Sequence, residues 1–172
     1  LATQNAQWLI LMGTSFVVAV YLQEVRGYNA IETGAIFTAA TLGLLVTSFG
    51  AERFSRKRTQ KALILAGFAG TIAGIGLLIG LVAAWSSVVA FVPGLLLIGL
   101  GLGLMLTPSV NLVQSSFPEE QQGEISGLSR SVSNLGSTFG TAIAGTILVS
   151  GLTTGAYARA MASLGVVAVL GI

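Results

Sequence analysis

Three residue types that carry much of enzyme chemistry are missing from this chain: it has no cysteine, no histidine and no aspartate. Without cysteine there are no disulfides, thiolate metal sites or cysteine nucleophiles. Without histidine the commonest metal ligand and general base are gone. All six acids are glutamates, at 24, 32, 52, 119, 120 and 124, so a Ser-His-Asp triad cannot be assembled. The residues point to no enzyme and call for no cofactor or metal. Charge is also scarce, at 8% of 172 residues, against roughly 25% in soluble domains. With 53% hydrophobic residues and a mean hydropathy of +0.88, the chain has too little polar surface to stay dissolved in water. The net charge of +2 therefore bears on orientation in a bilayer and not on nucleic acid. Leu1 is not a start residue, no basic segment precedes the first apolar run, and the last run stops abruptly at Ile172. Both ends read as cut from a longer chain.

What remains is a series of long apolar runs. A spanning helix needs about 20 mostly apolar residues. Five runs meet that length: Gln4–Leu22, Ile31–Ala51, Ala62–Trp85, Val88–Val113 and Ile125–Val149. A sixth, Ala160–Ile172, is too short to span by itself. Between Lys61 and Glu119 there is no charge. A single helix of that length would run about 85 Å, far beyond a hydrocarbon core of about 30 Å. The chain must reverse, and Trp85-Ser86-Ser87 is the place, because Trp prefers the interface and Ser favours turns. Barrel strands are excluded, since these runs are too long and too uniformly apolar for alternating segments of about ten residues. The fold class is an all-α integral membrane protein, with residues 1–172 as one transmembrane domain lying in a lipid bilayer.

Orientation follows from one loop. Arg53, Arg56, Lys57, Arg58 and Lys61 cluster between the second and third spans, whereas the other connections carry at most one basic residue each. Lys and Arg are retained on the cytoplasmic side, which puts residues 56–61 and 118–123 inside and Tyr28 and Ser86 outside. In the later loop, Ser116-x-x-Glu119 with Pro118 predicts a capping box and a short surface helix, released by Gly123 into the next span. Small residues recur at spacing four: Gly70 and Gly74, Gly76 and Gly80, Gly99 and Gly103, Gly136 and Gly140. Such spacing lets helix backbones approach closely. The alternating Gly99, Gly101 and Gly103 lie inside an apolar run with no preceding strand, so they read as helix packing and not as a phosphate loop.

Polar residues inside the spans are few and ordered. Ser126, Arg130, Ser133, Asn134, Ser137, Thr138 and Thr141 form one helical face. Thr107, Asn111 and Gln114 share a face beyond Pro108, where a kink is expected. Gln4, Gln7, Thr14 and Tyr21 form a stripe on the first span. A polar face in a bilayer must look at protein or water. Two readings stand, interhelical hydrogen bonding and the wall of an aqueous substrate cavity, and one face is wide enough for both. The cavity candidates are Gln7, Thr14, Tyr21, Thr107, Asn111, Gln114, Arg130, Ser133, Asn134, Ser137 and Thr141. Arg130 is expected to be held by Asn111 and Gln114, on the assumption that the two spans flanking the 118–123 loop pack together. No acid lies deep within any span, so the titratable acid that a proton-coupled transporter needs is not in this chain.

The tract Tyr21-Leu22-Gln23-Glu24-Val25-Arg26-Gly27-Tyr28, followed by Gly34, resembles the segment joining two helices in drug:proton antiporters of the major facilitator superfamily. Glu52-Arg53-Phe54-Ser55-Arg56-Lys57-Arg58 resembles that superfamily's basic loop, with Glu52 in place of Asp, Ser55 in place of Gly, and Ser48 where an earlier Gly is usual. The run from Pro93-Gly94 to Pro108, then Pro118-Glu119-Glu120 to Arg130 and Gly136, is similar to the drug-exporter branch with fourteen predicted helices. The basic loop occurs in both halves of that fold. The fourth span here has no Arg and the fifth no Pro, which places the chain in the C-terminal half. The resemblance implies transport by alternating access, with proton-coupled export of drugs or other small molecules across a bacterial inner (plasma) membrane. The partners it implies are the missing N-terminal half, the substrate and protons. By the same resemblance, Glu52, Arg53, Arg56, Lys57 and Arg58 would form a cytoplasmic gate, with a topology anchor as the other reading of these residues. Exporters of metabolites, siderophores or amino acids on the same fold, and a non-transporting membrane scaffold, are the alternatives.

Overall fold

The computed structural model of the chain describes residues 1–55, 59–85 and 87–171, with the stretch 51–55 described by its backbone. The described residues form six helices and no strand. Helix α1 (Ala2–Val20) continues into a π-helical turn, Tyr21–Val25. Then follow α2 (Ala30–Ser55), α3 (Gln60–Ala84), α4 (Phe91–Ser115), α5 (Gln122–Val149) and α6 (Thr154–Leu170). Five helical stretches are long and apolar enough to cross a membrane, among them Ala2–Val25 and Gln60–Ala84. The sixth helix has 17 residues and begins six residues ahead of the expected Ala160. Its start is set by Thr153, which accepts a hydrogen bond from the Ala156 amide at 3.2 Å, a side-chain cap hidden in a stretch that otherwise looks like loop.

Two local expectations are corrected. Ser116 caps no following helix. It closes α4 in helical geometry, φ −83° and ψ −4°, and its hydroxyl donates back to the Leu112 carbonyl at 2.6 Å. An N-cap needs an extended residue, so Ser116 is unavailable for the box. The loop carries a single 3₁₀ turn, Glu119–Gln121. Gly123 lies inside the first turn of α5 and releases nothing. The capping box of this chain is at Asn29 and Glu32 instead. Asn29 accepts from the Glu32 amide and Glu32 from the Asn29 amide, both at 2.9 Å. Just before it, Gly27 takes φ +74°, and the Tyr28 amide reaches back to the Leu22 carbonyl at 3.0 Å, a left-handed stop to the first helix. The reversal after α3 falls where expected, with Trp85 extended and Ser87 capping the next turn through Val89. Helix α4 runs unbroken through Pro108.

Helix pairing is written in small residues. The tightest pairs are α3 with α4, α1 with α5, and α2 with α4. On α4, a side chain at Gly99 would strike the Ala40 carbonyl of α2, and one at Gly103 the Thr47 hydroxyl. One at Gly101 would meet the Gly67 carbonyl of α3 at 2.5 Å. Residues 99 and 103 share a face and 101 points the other way. The Gly-x-Gly-x-Gly run is thus a two-sided seam that lets α4 sit between α2 and α3. On α5, Gly136 and Gly140 lie against the Asn5 and Leu9 carbonyls of α1. Without a hydrophobic effect between helices in lipid, such backbone contact supplies much of the association. The Gly76 and Gly80 pair departs from expectation, having nothing within 4 Å of either added side chain. Spacing identifies a smooth face but not whether a partner meets it.

The helices alternate in direction, which gives the bundle two ends. The basic-loop end holds residue 1 and the α2–α3 and α4–α5 connections. At the opposite end Tyr21, Phe91 and Tyr157 form an aromatic cluster, the Tyr21 and Tyr157 rings 4.4 Å apart. Arg26 lies over the Tyr21 ring at 5.5 Å. It donates to the Tyr21 hydroxyl at 3.3 Å and to the Val82 carbonyl at 3.2 Å, and Tyr21 also meets the Thr154 hydroxyl at 3.1 Å. This network fastens the ends of α1, α3 and α6 and fills the core there.

Candidate functional site

The basic-loop end is built differently. Helices α1 and α5 run parallel, and their register is set by a reciprocal pair. The Gln4 amide donates to the Ser129 hydroxyl at 2.6 Å, and Ser129 donates to the Gln4 carbonyl oxygen at 2.9 Å. Asn5 adds a bond to the Val132 carbonyl at 2.9 Å. Helix α4 spends its two small-residue faces on α2 and α3, and touches α1 and α5 only sparsely. A gap is left between α4 and the α1–α5 pair. Chain neighbours α4 and α5 are therefore not packing neighbours at depth, contrary to the assumption behind the Arg130 pairing.

Two adjoining cavities fill the gap. One, of about 430 Å³, is lined by Gln4 and Trp8 of α1, Val110 and Gln114 of α4, and Ser126, Ser129, Arg130, Ser133 and Asn134 of α5. The other, of about 280 Å³, shares Gln4, Trp8 and Val110 and adds Gln7, Leu106, Thr107 and Asn111. Seven of the residues singled out from the sequence thus meet here: Gln7, Thr107, Asn111, Gln114, Arg130, Ser133 and Asn134. Four lie elsewhere. Thr14 is buried farther along α1. Tyr21 belongs to the aromatic cluster at the opposite end. Ser137 and Thr141 line neither cavity, and their hydroxyls turn back onto the Ser133 and Ser137 carbonyls at 3.0 Å. Of the gate-loop residues, Arg56, Lys57 and Arg58, and the side chains of Glu52 and Arg53, lie outside the described residues.

Sequence reasoning missed Ser129 and Trp8. Ser129 lies three residues after Ser126 and four before Ser133, so helical spacing alone could have found it. Trp8 carried no signal beyond being aromatic.

The polar groups of the site are unevenly satisfied: Gln4 and Ser129 pair with each other and Ser133 bonds the Ser129 carbonyl, whereas Gln7 is left without a partner among the described residues. Gln7 is fully buried, and neither side-chain amide atom has a hydrogen-bond partner among the described residues. The Thr14 hydroxyl is in the same condition. Buried polar atoms normally find partners, and each exception calls for a reason. Arg130 is exposed toward the cavity mouth and makes no hydrogen bond or ion pair among the described residues. The side chains of Asn111 and Gln114 do not hold it, and the Gln114 carbonyl accepts instead from Gln122 at 2.8 Å. Arg130 stands about 12 Å along α5 from Gln122. It is, among the described residues, the only charged side chain lining either cavity. Among the described residues no group of three His, Cys, Asp or Glu side chains comes together as a metal site. The bundle thus has a partly polar opening between helices at one end, with volumes of about 430 and 280 Å³.

The model of the Major Facilitator Superfamily matches residues 4–141, which takes in α1 through the middle of α5. The chain belongs to the Major Facilitator Superfamily. It is similar to Quinolone resistance protein NorB of Staphylococcus aureus strain COL, 29% identical over 163 residues that make up 93% of this chain and 35% of the relative. The same protein from strains JH9 and Newman matches with the same identity and coverage. The chain spans about a third of the length of these curated relatives. Membership of this superfamily accords with the five helical stretches long and apolar enough to cross a membrane.

Proposed function

We propose that residues 1–172 form the C-terminal six-helix half of a proton-coupled exporter of drugs or other small organic molecules in a bacterial inner membrane. The observation that carries this reading is the polar gap between α4 and the α1–α5 pair, open at one end of the bundle. The similarity to a quinolone resistance protein supports the export direction and the substrate class. In an alternating-access cycle two helix bundles rock about a site between them, and this cavity would be one wall of that site. Among the described residues no acid lines either cavity, and this reading assigns the protonatable carboxylate to the rest of the parent protein. The basic loop after α2 would stabilise the closed cytoplasmic side, as the family resemblance implies. The test is efflux from proteoliposomes holding the full-length parent under an imposed pH gradient. Movement of a quinolone that collapses with a protonophore is expected. Movement indifferent to the gradient would remove proton coupling from the reading.

Sidedness is a separate prediction. The natural absence of cysteine makes single-cysteine labelling clean. Lys61→Cys and Glu120→Cys should be shielded from an impermeant maleimide in intact cells, and Asn29→Cys should react. Labelling of position 61 from outside would reverse the assignment, which rests on Lys and Arg being retained inside.

A further inference from the structure

Among the described residues, those lining the cavity at the basic-loop end bring one charge and no counter-charge. Arg130 lines it, exposed and without a hydrogen bond or ion pair among the described residues. Glu119, Glu120 and Glu124 are exposed, and none of them lines either cavity. The other polar lining groups, Gln4, Gln114, Ser126, Ser129, Ser133 and Asn134, are neutral. Trp8 and Val110 form an apolar wall common to both cavities, and Gln7 borders the second with its amide unpartnered. A guanidinium about two turns inside the helix is costly in a bilayer unless something pairs with it. Its flat fork suits a carboxylate in bidentate geometry. An indole face suits a flat ring.

We infer that this cavity selects amphipathic organic anions, or zwitterions, in which an aromatic body rests against Trp8 and a carboxylate pairs with Arg130. The inference rests on the transporter reading above and names the substrate class of that same site. It sets the chain apart from a cavity built for cations, which would present a carboxylate where Arg130 stands.

The experiment uses the full-length parent in proteoliposomes exporting a fluorescent dye, with three competitors on one scaffold: 2-naphthoate, the neutral 2-naphthamide and 2-naphthylmethylamine. The carboxylate should compete best in the wild type. Arg130→Gln should lower the carboxylate-to-amide affinity ratio by about tenfold to a hundredfold, as expected for one charge-assisted bidentate pair. Arg130→Lys should fall between, because charge is kept and the fork is lost. Should Arg130→Gln fail to accumulate, Asn134→Asp places a carboxylate one turn away and should produce the same loss by occupying the guanidinium. Equal competition by all three probes, or an unchanged ratio in both variants, overturns the inference and leaves Arg130 paired within the parent protein. Dye export by the wild type without a carboxylate preference defeats this inference alone. Absence of any dye export defeats the transporter reading.

Discussion

Gly99→Leu should sharply reduce the amount of folded parent protein recovered from membranes. A side chain at residue 99 runs into the Ala40 carbonyl of α2. Backbone cannot yield as the tip of a flexible side chain can, so α2 and α4 must separate. Overpacking a filled core costs typically 1–3 kcal/mol and occasionally more, and a clash with main chain belongs at the upper end, about 3 kcal/mol. Leu is a good helix former, so loss of helicity would not explain the result. Gly76→Leu is the control, since that position has nothing within 4 Å and should be neutral. Fluorescence-detected size-exclusion profiles and melting temperatures of both variants in detergent decide the matter. A Gly99→Leu protein that elutes and melts like its parent would mean that the α2–α4 seam is not a close contact.

The isolated 172-residue chain should move no substrate against a gradient, and co-expression with the remainder of the parent should restore export. The cavity is lined by α1, α4 and α5, and nothing among the described residues faces it from the fourth side. Alternating access needs a second bundle to rock against, and gradient coupling needs a titratable group within the membrane. Liposomes bearing the chain alone should read at the level of empty vesicles. Export by separately expressed parts should return above that background. Concentrative, proton-driven transport by the isolated chain would place the whole machinery within these six helices and overturn the reading of it as one half.

Much of this architecture is legible from residue order. Long uncharged runs are helices because a bilayer leaves backbone groups no other partner, and the five spans end within a few residues of where composition puts them. The error at α6 arose because Thr153 acts through a local cap, which is a weaker signal than hydropathy. The error at Ser116 had the opposite cause. A sequence pattern for a cap was present, but α4 kept Ser116 helical. The polar stripes on α1, α4 and α5 were visible as periodicity. Periodicity was silent on how far along each stripe the opening extends. Gln7 and Thr14 are two helical turns apart on one face, and only Gln7 borders a cavity.

The sequence by itself determined the class: a membrane bundle, with polar residues sorted onto three helices and glycines spaced for close approach. Those properties depend on residue type and local spacing, which the chain carries whatever it packs against. Tertiary structure alone decided which smooth faces meet. Helix α4 is held from both sides by α2 and α3 through Gly99, Gly103 and Gly101, so α5 docks on α1 and the loop-linked pair α4 and α5 stands apart. The opening between them, and Arg130 at its wall without a partner among the described residues, follow from that choice. Such pairing is non-local, a matter of which surfaces approach most closely in three dimensions, and a one-dimensional pattern cannot express it.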